Sequence, residues 1–313
     1  MQLPVEHPLI IITGPTAVGK TQLSLDLVRS MDGEIISADS RLFYCGLDIG
    51  TAKPTIAERE GVKHHLIDIA KPDETLSLAV FQESVYAIAQ DLWDQGRIPF
   101  VVGGTGQFIR ALMEGWEAPA LHPDTRLRTA LEGWGQSIGA VALHRKLEII
   151  DPDAAVKIEP GNLRRTVRAL EVIMTTGSLF TSQRAKRPRG FQYKVIGLIR
   201  DRNELYMRVD ERIMQMIQDG LIEEVRALLR LGYDDDLPAL SAIGYKEAIA
   251  HIRGEITLEE VVRLMKKRTR SYIRRQANWF KPDDPRIQWF TMQSGIETAI
   301  KEYIFSEEGW QHG

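Results

Sequence analysis

An α/β fold with a mainly parallel sheet is predicted by three features of the chain. Short apolar runs recur at residues 9–13 (LIIIT), 34–38 (EIISA), 98–102 (IPFVV) and 194–200 (KVIGLIR), the pattern of buried strands. Stretches with helical apolar spacing alternate with them, as a parallel sheet with crossover helices requires. Three of the runs end directly in a polar, Gly-rich or acidic turn: GPTAVGKT, ADSR and GGTG. In such sheets ligands sit beyond the carboxyl ends of the strands, so one pocket is expected to collect all three turns.

The elements follow in order. Residues 9–13 form the first strand, and TQLSLDLVRSM after Lys20 carries Leu23, Leu27 and Val28 at helical spacing. The second strand, 34–38, ends at Asp39 and Ser40. Residues 77–93 read as an amphipathic helix with Ser77 as N-cap and Gly96 as its stop. The third strand runs into GGTG at 103–106. About ninety residues then separate it from the fourth, and their content is helical at 124–134, 140–149 and 163–176. Residues 116–189 are therefore expected to be a helical insertion domain, with 1–115 and 190–313 forming the core and a helical C-terminal region. One helix is expected across 204–230 and another across 257–280, where Thr257 and Glu260 have capping-box spacing. The stretch after Met292 reads as peripheral.

GPTAVGKT matches G-x-x-x-x-G-K-[ST] at Gly14, Gly19, Lys20 and Thr21, and it sits between a strand and a helix. This predicts a P-loop NTPase-like core. The backbone N–H groups of Gly14, Pro15 excepted, Thr16, Ala17, Val18 and Gly19 can turn toward an anion at a helix N-terminus. Lys20 adds a point charge, and the Thr21 hydroxyl can ligate Mg²⁺. The motif specifies a polyphosphate and not a nucleotide.

Asp39, at a strand end, suits a general base, a magnesium partner or a turn residue. Thr105 offers one hydroxyl in GGTG, which could equally be a tight turn. The loop GLDIGTAKP at 46–54 is a lid or a connector. His64 and His65 are adjacent, so in a strand they face opposite ways and do not form a metal pair. The single cysteine, Cys45, excludes an internal disulfide and a cysteine zinc site, and a half-buried small side chain is expected there.

The apolar run near the N-terminus is too short for a signal sequence or a membrane span and has no basic flank, so a cytoplasmic protein without a membrane partner is expected. A monomer is expected. The net charge of −3 points to no polyanionic partner, but the distribution does. Residues 263–281 hold Arg263, Lys266, Lys267, Arg268, Arg270, Arg274, Arg275 and Lys281 without one acid, interleaved with Tyr272, Trp279 and Phe280. Arg184, Lys186, Arg187, Arg189, Lys194, Arg200 and Arg202 face the single acid Asp201, and Arg164, Arg165 and Arg168 form a third cluster. Clusters of one sign suit nucleic-acid phosphates. No familiar base-reading module is present, so shape or a splayed base would be recognised.

GPTAVGKT, ISADSRLFYCGLDIGTAKP, HHLIDI, VVGGTGQFIRAL, NLRRTVRALEV, SAIGYKEA and RRQANWF, in this order from about residue 9 to 280, resemble the tRNA dimethylallyltransferases, the bacterial tRNA isopentenyltransferases of the IPP transferase family. The resemblance implies transfer of a dimethylallyl group from dimethylallyl diphosphate to N6 of the adenosine 3′ of the anticodon, in tRNAs reading codons that begin with U, with Mg²⁺ assisting and diphosphate leaving. The anticodon stem-loop is the implied partner. It implies Asp39 as general base and Thr105 as a group positioning the acceptor. It places Arg212 near the diphosphate held by residues 14–21. It assigns tRNA contact to Asp39, Ser40, Arg41, Leu42 and Thr105, to Arg128 (or Arg126, two residues earlier), and to Arg164, Arg165 and Arg168. The same holds for Ser241, Gly244, Tyr245 and Lys246, and for Arg274, Arg275, Gln276, Trp279 and Lys281. One departure is GGTGQF where the family has GGTGLY: Gln107 and Phe108 remove a phenol. Three alternatives stay open: an adenylate isopentenyltransferase, which needs no tRNA surface, a P-loop small-molecule kinase, and an RNA-binding protein regulated by a nucleotide.

Overall fold

The computed structural model describes residues 3–116, 124–182 and 190–312. The chain forms two compact units, Met1–Met113 with Arg189–Gly313, and Glu114–Pro188. In the first unit the order is β1 (Pro8–Thr13), α1 (Lys20–Ser30), β2 (Gly33–Ser37), β3 (His64–His65), α2 (Leu78–Asp94), β4 (Ile98–Gly103) and α3 (Gly106–Met113). The second unit holds α4 (Thr125–Ile138), α5 (Ala140–Ile150), α6 (Pro152–Val156) and α7 (Leu163–Thr176). The first unit resumes with β5 (Gln192–Ile199), α8 (Arg202–Gln218), α9 (Leu221–Arg230), α10 (Tyr245–Ile252), α11 (Leu258–Ala277), β6 (Ile287–Thr291), α12 (Ile296–Phe305) and β7 (Gln311–His312).

The sheet runs β3-β2-β4-β1-β5-β6, all parallel, with β7 antiparallel on β5. The period of two in β1 explains its burial on both faces. Leu9 and Ile11 join the core under α2 and α3, and Ile10 and Ile12 join the core under α1 and α12. A third core, among α8–α11 and residues 44–70, is built on Val209, Ile213, Leu221, Val225, Tyr245, Val261 and Met265. The helical unit has its own core of Leu131, Leu143, Leu147, Val167 and Leu170, with α4 and α7 capped by Asp124 and Asn162.

Three expectations are corrected and one left open is decided. The stretch 204–230 is two helices, because Gly220 takes φ 99°, a left-handed conformation that stops α8 and starts α9. The stretch after Met292 is not peripheral: β7 pairs with β5, and Ile296, Ile300 and Ile304 on one face of α12 are buried against the α1 side. Each such side chain contributes about 1.5–3 kcal/mol of burial. Cys45 is exposed, its thiol donating to the Asp68 carbonyl at 3.3 Å. The loop at 46–54 is a pinned connector. The Glu224 carboxylate accepts from the N–H groups of Asp48, Ile49 and Gly50 at 2.9, 2.7 and 3.2 Å, and buried Lys53 pairs with Asp48 and Asp68. His64 and His65 do face apart, to the Val62 carbonyl and to Glu34 respectively.

Lys194 is fully buried in β5 and so leaves the cationic surface where its neighbours in sequence placed it. Its ammonium donates to the carbonyls of Tyr303 and Ser306 at the end of α12 and to the Ser306 hydroxyl, and it lies over the rings of Tyr303 and Trp310. Burial pulls its pKa down to about 8, so it caps the helix as a cation at neutral pH. Lys194→Met strands those carbonyls. It is expected to lower unfolding free energy by about 1–3 kcal/mol, read as a shift of the denaturant midpoint.

Candidate active site

Adjacent strands lie about 4.8 Å apart, so the order β2-β4-β1 makes the three C-terminal turns neighbours. Register holds their ends level: Thr13 pairs with Gly103, and Ser37 with Val102. Asp39 lies two residues past the end of β2, Thr105 two past β4, and Gly14 one past β1.

The loop from Gly14 to Gly19 is shaped by Ala17 at φ 64° and Gly19 at φ 112°. Left-handed residues of this kind alternate the peptide planes and gather N–H groups on one side. Ala17 in that region costs of order 1 kcal/mol, strain held by its surroundings. The Ala17 carbonyl accepts from Arg208 Nε at 2.9 Å, and the Val18 carbonyl from Arg200 Nε at 3.2 Å. Carbonyls tied outward leave amide edges for an anion. Val18 itself is buried in the core below.

Lys20, on the first turn of α1, donates to the carbonyls of Gly14 and Pro15 at 2.9 and 2.8 Å. Burial pulls its pKa down to about 8, with Asp39 pushing it up and Arg212 pushing it further down. Arg212, from α8, reaches the Thr16 hydroxyl at 3.5 Å, and burial lowers its pKa too, opposed by Asp39 and Glu58. Two cations and one carboxylate therefore share a partly desolvated space in which an anion is held strongly. Thr21 is exposed at the start of α1.

The Asp39 turn is self-supported. Asp39 Oδ1 accepts from the Arg41 N–H at 3.0 Å, and the Thr105 hydroxyl accepts from the Ser40 N–H at 3.2 Å. Thr105 thus ties the β4 turn to the β2 turn. Arg41 reaches across to the carbonyls of Pro238 and Ala239 and to Ser241 Oγ at 2.8, 3.3 and 3.2 Å. Tyr272 of α11 is desolvated next to Asp39, and its phenol pKa rises to about 12, first from burial and then from the Asp39 charge.

The residues given a tRNA role by the resemblance differ in burial and in partners. Ser241, Lys246, Arg274, Arg275 and Lys281 are exposed, as are Arg164 and Arg165 in the helical unit. Gly244, Tyr245 and Gln276 are inside the protein. Tyr245 is fully buried, and its hydroxyl donates to Glu224 at 2.6 Å. Gly244 takes φ 101° and donates to Glu247. Leu42 and Trp279 are half-buried. Within the helical unit, Arg128 and Arg168 both hold the buried carboxylate of Glu171, at 2.8 and 3.0 Å. Arg126 is exposed.

The cations of α11 are less bare than their sequence. Lys266 and Arg270 share Asp210 of α8, Arg268 meets Glu247 of α10, and Arg263 meets Glu260. Among the described residues Lys267, Arg274, Arg275 and Lys281 have no carboxylate partner within ion-pair distance. Arg184, Lys186, Arg187 and Arg189 lie outside the described residues. Arg200 pairs with Glu204, and Arg202 is exposed. Gln107 is exposed, whereas Phe108 is buried, its ring stacked 4.3 Å from that of Phe81. Sequence reasoning missed Arg208, the inward turn of Gln276 and the place of Tyr272 beside Asp39. The signal for Gln276 was its four-residue spacing from Tyr272, which puts both on one helix face.

The family model for IPP transferase matches residues 42–283. A tRNA dimethylallyltransferase of Roseiflexus sp. (strain RS-1) is 48% identical over 274 residues, covering 88% of this chain and 90% of its own. That of Herpetosiphon aurantiacus is 43% identical over 309 residues, 98% of each. The crystal structure of the full-length tRNA isopentenylpyrophosphate transferase from Bacillus halodurans superposes with a TM-score of 0.69 at 39% identity, covering 96% of this chain and 97% of that one. A eukaryotic dimethylallyltransferase acting on tRNA superposes with a TM-score of 0.78 at 26% identity, covering 95% of this chain and 79% of that one.

Proposed function

The chain belongs to the IPP transferase family, and from that premise we propose that it transfers a dimethylallyl group from dimethylallyl diphosphate to N6 of the adenosine 3′ of the anticodon in tRNAs reading codons that begin with U. The observation that carries the reading is the meeting of Lys20 and Arg212 with Asp39 and Thr105 at the ends of three adjacent strands. A kinase needs the loop but has no use for the exposed cations of α11. Prenylation of a free nucleotide has no use for them either.

In this reading N6 attacks the allylic carbon, the carbon–oxygen bond to diphosphate breaks, and its electron pair leaves on the diphosphate. The loop amides other than that of Thr16, which donates to Gln276, act with Lys20 and Arg212 to stabilise that charge. Asp39 accepts the N6 proton. Thr105 fixes the Asp39–Ser40 turn facing the acceptor, through its bond to the Ser40 N–H. Alignment of N6 with the allylic carbon lowers the barrier by removing the entropy of encounter.

Among the described residues no cluster of three or more His, Cys, Asp or Glu side chains could hold a metal alone. Mg²⁺ commonly takes one or two protein ligands plus phosphate oxygens and water, so a bound diphosphate would bring most of its ligands. Thr21, exposed at the start of α1, would be the protein ligand for it, and the ion would neutralise charge on the diphosphate.

Among the described residues no helix is long and apolar enough to cross a membrane. The exposed Arg274, Arg275, Lys246 and Lys281, and Arg164 and Arg165 in the helical unit, are the proposed phosphate contacts. Arg274→Glu with Arg275→Glu is expected to weaken tRNA binding and to reduce the slope of log affinity against log salt by about 2. An unchanged slope would remove this helix from the interface.

The deciding experiment supplies radiolabelled dimethylallyl diphosphate with tRNA or with AMP, and separately labelled ATP with tRNA. Label from the prenyl donor on tRNA alone is the expected result. Label on AMP would establish the free-nucleotide activity, and transfer from ATP a kinase.

A further inference from the structure

We propose that Gln276 is a positioning residue for the diphosphate, a brace that sets the front of the phosphate loop against the Thr105 turn, and not a contact to RNA. The inference rests on the diphosphate reading given above. Gln276 is 6% exposed although it sits between the exposed Arg275 and Ala277. Both ends of its amide are used. Oε1 accepts from the Thr16 N–H at 3.0 Å, and Nε2 donates to the Gly104 carbonyl at 3.0 Å.

The receiving surface is shaped to admit α11. A Cβ on Gly104 would lie 2.5 Å from Gln276 Nε2, and one on Gly106 would lie 2.2 Å from Trp279 Cγ. Trp279 is held in turn by Arg110, whose Nε and Nη2 donate to its carbonyl at 3.1 and 3.0 Å. The GGTG glycines therefore serve as the seat of the α11 C-terminus. Thr16 is fixed from two helices, at its N–H by Gln276 of α11 and at its hydroxyl by Arg212 of α8. A neutral amide fits this place. Asparagine falls one methylene short, and glutamate accepts but cannot donate and adds negative charge beside the diphosphate.

Leaving-group stabilisation depends on donors held within a fraction of an ångström. A brace on Thr16 acts on that geometry, whereas an RNA contact would act on RNA affinity. Three measurements on wild type, Gln276→Met and Gln276→Glu separate them: the dissociation constant of inorganic pyrophosphate, that of an anticodon stem-loop RNA, and KM with kcat for prenyl transfer. In Gln276→Met, pyrophosphate affinity and kcat are each expected to fall about tenfold, with RNA affinity unchanged within about twofold. Gln276→Glu is expected to bind pyrophosphate more weakly still, again with unchanged RNA affinity. It keeps the acceptor to Thr16, so it carries the comparison if the methionine variant does not fold.

RNA affinity falling about tenfold with pyrophosphate binding intact would overturn the proposal, and so would variants indistinguishable from wild type. Failure of wild type to bind pyrophosphate is a different outcome, which removes the diphosphate reading and this inference with it.

Discussion

Asp39→Asn is expected to reduce prenyl transfer at saturating substrates by about 10²- to 10⁴-fold, with tRNA affinity within about twofold of wild type. Asparagine is the informative replacement because Asp39 Oδ1 accepts from the Arg41 N–H at 3.0 Å. An amide oxygen preserves that turn, and with it the Ser40 N–H bond to Thr105. What asparagine lacks is the ability to take a proton. One side effect has to be controlled. The Asp39 charge raises the pKa of Lys20, so its loss moves Lys20 below about 8. The measurement therefore belongs at about pH 6.5, well below the wild-type value of about 8, with a pH series on the variant as control for its lower Lys20 pKa. Turnover within a few-fold of wild type there would leave Asp39 with an electrostatic role only.

That such a site could be drawn from sequence at all follows from the locality of its parts. A phosphate loop is written in consecutive residues, and a strand end is marked by where an apolar run stops. Asp39 and Thr105 were therefore legible, as was their neighbourhood once a parallel sheet was assumed. The C-terminal stretch was misread although Ile296, Ile300 and Ile304 recur at helical spacing, because an apolar stripe does not name the face it will cover. The break at Gly220 lay within a continuous apolar period, and only its positive φ shows that the chain turns. The cations of α11 stood without acids in sequence because Asp210 and Glu247 come from other helices. Gln276 sat among exposed arginines, so its burial depends on glycines some 170 residues away, at Gly104 and Gly106.

Lys20→Met is expected to lower kcat/KM for dimethylallyl diphosphate by about 10²- to 10³-fold, the range for removing a charged donor from a leaving oxyanion. The fall alone does not establish the role. Lys20 also donates to the carbonyls of Gly14 and Pro15, so methionine leaves both unpaired and can shift the loop. The pH dependence separates the two effects. In the free enzyme Lys20 has a pKa of about 8, and a bound diphosphate, being anionic, raises it. Between those two values binding takes up a proton, so wild-type affinity for pyrophosphate is level below about pH 8, once the diphosphate's own ionisation is corrected for. Above that it falls by up to about tenfold per pH unit. If Lys20 supplies its charge to the diphosphate, that descent disappears in Lys20→Met, and Lys20→Arg, which stays protonated throughout, is also level but binds more tightly than methionine. If Lys20 only shapes the loop, its charge gives no descent, and methionine weakens binding equally at every pH, leaving the shape of the profile as in wild type. The slope, measured by titration calorimetry across pH 6.5 to 9.5, decides between charge and shape where a single rate cannot.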